Sequence, residues 1–253
     1  VIARSKDATI TSLQRLDPTQ LHPSPAARRG PGAVREGARY VRSRPDLVLI
    51  LTVVFFTGTF GLNFQMTSAL MATEVFGKGA GEYGLLGSIM AIGSLGGALL
   101  AARREQPRVS LVVGAALLFS AVEVLAGVMP TYTTYAIVLP FLGLTALTMI
   151  TTANATIQMT SSPEMRGRVS ALYLMVFMGG TPLGSPLIGW VGETFGARWT
   201  LVGGGIATAL GVLLAVGLAV RAGSIERPRL VPISRELLHR RRAEAVEDAD
   251  LAS

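Results

Sequence analysis

Six stretches of this chain are continuously apolar for about the length a helix needs to cross a hydrocarbon core, and short polar segments separate them. They run roughly over residues 47–71, 83–102, 109–129, 135–158, 169–191 and 199–220. A core about 30 Å thick takes roughly 20 residues of helix, which satisfies its own backbone hydrogen bonds where no water is present to do so. The pattern therefore predicts an all-α integral membrane domain over 47–220, crossing six times. Val34, Ala38 and Val41 recur at helical spacing just ahead of it, with Arg35, Arg39 and Arg42 on other faces. Residues 32–46 read as a short interfacial helix leading into the first span. Residues 1–31, rich in proline, alanine and arginine, read as a disordered basic linker, and 221–253 as a solvated tail. The segment ahead of the first span is too polar to serve as a signal peptide.

Charge fixes the expected orientation. Of the 23 Lys and Arg residues, nine lie before the first span, three after the second (Arg103, Arg104, Arg108), two after the fourth (Arg166, Arg168) and seven after the sixth. Only Lys78 and Arg198 fall in the alternate connections. The positive-inside rule then places both termini in the cytoplasm. The net charge of +7 is thereby explained by topology and by attraction to anionic headgroups in the bilayer, and a nucleic-acid partner is not expected. There is no cysteine, and His22 and His239 stand in the tails without a carboxylate at ligand spacing, so neither a metal nor a cofactor is expected. No position in the spans offers a nucleophile–base pair, which argues against an enzyme.

Within the apolar background two spans carry polar stripes. Thr52, Thr59, Asn63 and Thr67 share one narrow face of the first span at 100° per residue, with Gln65 near its outer end. Thr145, Thr148, Thr152 and Thr156 do the same in the fourth, widened by Thr151, Asn154 and Gln158. Such faces suit a watery path with threonines at mid-depth and amides toward each mouth. They equally suit hydroxyls bonded to their own helix and amides joining helices. Phe56, Phe60 and Phe64 run beside the first stripe, as pocket lining or as simple packing. Glu123 is the one acidic residue deep in a span, roughly 21 Å from the inner end of the third by helical rise. It is the natural coupling candidate, with a structural carboxyl as the alternative. Gly93 and Gly97 form a GxxxG pair in the second span, and Gly180 and Gly184 another in the fifth, where Pro182 and Pro186 predict a kink.

Six spans divide into three plus three of opposite sense, the inverted repeat found in secondary transporters. The turn Pro163-Glu164-Met165-Arg166-Gly167-Arg168 resembles the "P-E-x-R-G-R" segment of the major facilitator superfamily. The run Gly179 to Gly184 and the stretch Thr152 to Thr156 are similar to its enterobactin-exporter-like, multidrug efflux branch, and 35–46 is similar to the end of its central loop. The resemblance, covering about residues 30–220, is to the C-terminal six-helix half, spans seven to twelve of twelve. One departure stands out: the family's Gly-x-x-x-Asp-Arg-type segment reads Gly97 to Arg104 here, without the Asp. The resemblance implies proton-coupled export of small amphiphilic molecules such as drugs or siderophores. It also implies a cytoplasmic gate at Arg103, Arg104, Glu164, Arg166 and Arg168, and a chain that begins at Val1 within a longer or split transporter. The expected partner is then an N-terminal six-helix half or a second copy, with a self-sufficient half-transporter or a non-transporting membrane interaction protein as the other readings.

Overall fold

A computed structural model describes residues 32–103 and 108–221. Among the described residues the chain is helical throughout. α1 covers Ala33–Arg42; α2 covers Pro45–Phe56; α3 covers Phe64–Leu70; α4 covers Ala80–Ala102; α5 covers Val109–Gly127; α6 covers Tyr132–Thr160; α7 covers Arg166–Phe195; and α8 covers Ala197–Arg221. α2 and α3, each extended by a wide turn (Thr57–Gly61 and Met71–Val75), together make the first span, Pro45–Val75. Among the described residues, six helical stretches are long and apolar enough to cross a membrane. Arg104 and the segments 1–31 and 222–253 lie outside the described residues, so the linker, the tail and that part of the gate are not described further.

Local chemistry sets the ends. Pro45 opens α2, where its missing N–H costs no helical bond. Thr131 caps α6 by accepting from the Thr134 amide, while Thr134 reaches back to the Thr131 amide. Gly196, at φ +93°, turns the chain between α7 and α8 within a single residue, a backbone geometry that side chains resist. Pro182 and Pro186 sit inside an unbroken α7 and do not interrupt it. The interruption falls in the first span, where a hydrogen bond from the Leu62 amide to the Thr57 carbonyl closes a wide turn and Leu62 and Asn63 leave the helix.

Packing assigns each span a place. In the most apolar 18-residue window of each, 56% of the first and fourth spans is buried against 17% of the second and 22% of the fifth, so the first and fourth are central. α4 lies along α6, α5 against both α6 and α8, and the first span is held by α7 and α8. One core cluster joins Leu47, Ile50, Val112, Met149, Ile157, Tyr173 and Val212. The other joins Met71, Leu86, Phe119, Tyr135, Leu139 and Leu201. Large apolar side chains such as Ile92, Leu95, Met178 and Leu210 stay exposed, as they do on helices whose surroundings are lipid or another helix bundle.

Candidate functional site

The break in the first span is where the polar groups gather. Asn63 donates its Nδ2 to the Thr59 carbonyl at 2.8 Å and accepts at Oδ1 from the Ser185 hydroxyl at 2.9 Å. The Thr181 hydroxyl donates to the Gly58 carbonyl at 3.4 Å. α7 can come this close because Gly180 and Gly184 face the backbone of Gly58 and Thr59. A methyl group at Gly184 would fall on the Thr59 carbonyl. Thr59 is 3% exposed, and its hydroxyl has no hydrogen-bond partner among the described residues.

Glu123 enters the same region from α5. The side chain is 1% exposed, and its Oε2 has no hydrogen-bond partner among the described residues. A methyl at Gly61 would meet that oxygen at 3.1 Å, and one at Gly204 would meet Oε1 at 3.3 Å and the Phe60 carbonyl at 2.6 Å. The carboxyl is thus wedged between the broken turn of the first span and a glycine face of α8, with the Phe119 ring also against Gly61. No Lys or Arg is paired with it among the described residues. The Thr208 hydroxyl, one helical turn beyond Gly204, is also buried without a partner among them. A wholly buried carboxyl beside a discontinuous helix can take up or release a proton, or meet a cation, with a large effect on the local charge balance.

The fourth-span stripe is buried at Thr145, Thr148, Thr152 and Thr156. Its chemistry is mostly inward to its own helix: Thr145 donates to the Phe141 carbonyl and Thr156 to the Thr152 carbonyl. Thr148 faces Gly97 of α4 and is unpartnered among the described residues. Gly93 and Gly97 let α4 approach the Pro140 and Leu144 carbonyls of α6. Asn154 and Gln158 pair with each other on the surface at 2.7 Å.

Two members of the first-span pattern lie elsewhere. Thr52 is half-buried away from this cluster and donates to the Val48 carbonyl, because the extra residue in the wide turn rotates the two halves of the span relative to each other. Gln65 is exposed, and its carbonyl accepts from the Tyr83 hydroxyl. Phe56 and Phe60 stack at 6.2 Å, with Phe56 against Gly211 of α8.

At the Arg-rich end, Arg168 pairs with Glu36 of α1 at 2.8 Å. Arg103, Glu164 and Arg166 are exposed. α1 is fastened to the turn between the fourth and fifth spans. The Ser162 amide donates to the Tyr40 hydroxyl at 3.2 Å, and Arg44 donates to the Thr160 carbonyl while clasping Asp46 at 2.7 Å. That amide bond holds the Tyr40 phenol below its ordinary pKa, outweighing the opposing effect of burial. α1 buries Gly37 and Val41, whereas Val34 is 59% exposed, so the inward face is set by a close approach to Arg168 and Leu172 rather than by the apolar periodicity.

Six helices among the described residues long and apolar enough to cross a membrane, four of them holding buried polar side chains, define a multi-pass membrane protein. The profile of the family described as transmembrane secretion effector matches residues 6–242. The chain belongs to this family, within the major facilitator superfamily, whose members carry solutes across membranes. No curated protein matches the chain.

Proposed function

We propose that this chain is the C-terminal six-helix portion of a secondary active, proton-coupled exporter of small amphiphilic molecules in the cell membrane, with both termini cytoplasmic. The observation that carries the coupling is Glu123, buried and unpartnered among the described residues beside the broken first span. Substrate would pass along the faces of Thr59 and Asn63 and of Thr145, Thr148 and Thr152, and Arg103, Arg166 and Arg168 would act at the cytoplasmic end.

An inverted repeat is supported by how the spans pair. Exchanging the first three with the last three maps the packing of the second on the fourth onto that of the fifth on the first, each made through a GxxxG pair. It also maps the order of burial, 56, 17 and 33%, onto 56, 22 and 39%. The sparsely buried second and fifth spans are the surfaces that an N-terminal six-helix half, or a second copy, would cover.

The test uses vesicles containing the full chain together with its N-terminal half where one is encoded upstream, loaded with a fluorescent amphiphilic cation. An imposed pH gradient should drive dye movement in the wild type, and Glu123→Gln should abolish the gradient dependence. Gradient-driven movement unchanged in Glu123→Gln removes Glu123 from the coupling.

A further inference from the structure

α1 leaves a stripe of three arginines unused. Arg35, Arg39 and Arg42 are four and three residues apart on its exposed side. The two acids of this region are already engaged, Glu36 with Arg168 and Asp46 with Arg44. Arg42 makes no ion pair or hydrogen bond among the described residues, yet it stands over two apolar clefts. One, of ≈ 310 Å³, runs down between the start of the first span and the end of α8, walled by Val48, Thr52, Ala215 and Leu218. The other, also ≈ 310 Å³, runs between the first span and α7 along Leu51, Phe55 and Val176. Both are open on their outer sides, and Val48 and Leu218 on their walls are 39% and 57% exposed. The one hydroxyl in the walls, that of Thr52, is bonded to its own helix. The walls therefore offer nothing polar to a soluble ligand.

A guanidinium at the mouth of an apolar cleft on a membrane-spanning surface matches one ligand chemistry: a phosphate with hydrocarbon chains beneath it. Arg binds phosphate through a planar fork of donors, and its charge is best placed where the headgroups lie. We propose that Arg42 and the two flanking clefts form a site for one anionic phospholipid, its phosphate on Arg42 and its acyl chains along Val48 and Leu218 on one side and Phe55 on the other. The site needs only that the chain spans a membrane, and it stands independently of Glu123 and of the transport reading. An occupant there would bridge α1, the first span, α7 and α8. It would so reinforce the strap that Tyr40 and Arg44 make on the turn between the fourth and fifth spans.

The full chain, purified in a mild detergent, is titrated with phosphatidylglycerol, with phosphatidylcholine and with glycerol phosphate, and bound lipid is read by native mass spectrometry. The wild type should retain phosphatidylglycerol in preference to phosphatidylcholine. Arg42→Ala should weaken retention at least about fivefold, and Arg35→Ala, on the turn away from the clefts, should leave it unchanged. Val48→Trp, which fills one cleft while sparing the charge, should also weaken it. Equal retention by the wild type and Arg42→Ala overturns the site. So does glycerol phosphate competing as well as the lipid with Val48→Trp without effect, since that describes an ion on a surface arginine. Failure of the full chain to retain any anionic lipid, as when its own tail covers the clefts, overturns it as well. A folded state for each variant is verified by its elution volume and unfolding temperature.

Discussion

Replacing Gly184 by alanine tests whether the crossing of α7 on the broken first span is as close as the structure makes it. The added methyl would coincide with the Thr59 carbonyl and lie 3.1 Å from the Thr59 Cα. Its neighbours are backbone, which cannot swing away as a side chain can, so α7 must move back as a body. Moving it back stretches the Ser185–Asn63 bond at 2.9 Å and the Thr181–Gly58 bond at 3.4 Å. Overpacking of this kind costs roughly 1–3 kcal/mol, and each strained bond adds about 0.6 kcal/mol in a membrane setting. The expected loss is therefore about 2–4 kcal/mol, or a fall in unfolding temperature of roughly 4–16 °C for a domain of this size. Gly179→Ala is the internal control. It lies in the same helix and has open space where its methyl would go. Alanine improves helix propensity by up to about 1 kcal/mol at either site, so that contribution cancels in the difference. Thermal unfolding of both variants in detergent, followed by tryptophan fluorescence, decides the matter. If Gly184→Ala and Gly179→Ala unfold within about 1 °C of each other, the close crossing is refuted.

Single contacts give the other expected outcomes. A double-mutant cycle between Asn63→Ala and Ser185→Ala should give a coupling of about 0.6 kcal/mol, and a coupling of zero removes that hydrogen bond from the account of the site. Glu123→Leu should leave thermal stability unchanged or raised, because an apolar residue of similar volume replaces an unpartnered buried carboxyl; destabilisation beyond about 2 kcal/mol would reveal a partner. Glu36→Gln, which breaks a pair half open to solvent, should cost about 0.2–1 kcal/mol in unfolding experiments, with the effect shrinking as salt is added. Tyr40→Phe removes the acceptor of the Ser162 amide and should speed proteolytic cleavage near residues 40–46 while leaving the six-span body intact, as read by fragment mass; an unchanged cleavage rate would show that the strap is held elsewhere.

Six spans and their approximate limits were written in the run of apolar residues, and the structure lengthens most of them, the first to Pro45–Val75 and the fifth to Arg166–Phe195. The burial of Glu123 and of the fourth-span threonines could be anticipated because a polar group on an otherwise apolar helix avoids lipid. The glycine pairs were visible as a pattern of small residues four apart. The break in the first span was not. Its signal, two glycines flanking Thr59 and followed by Asn63, reads equally as a close helix contact without a break. Asn63 competes there for the Thr59 carbonyl, and only the approach of α7 provides the Ser185 partner that stabilises the broken form. Nor could periodicity place Thr52 and Gln65 outside the polar cluster, since a single face assumes a single helical phase.

The amino-acid sequence by itself determined that residues 47–220 carry six stretches able to cross a membrane as helices, because a helix satisfies its own backbone in hydrocarbon and the length of each apolar run is a one-dimensional property. Tertiary structure decided the rest: which glycines meet which carbonyls, that the interruption falls in the first span rather than at the prolines of α7, that Arg168 answers Glu36, and that Arg42 is left over two apolar clefts. Those outcomes depend on residues far apart along the chain, and such pairs are fixed only when the helices settle against one another.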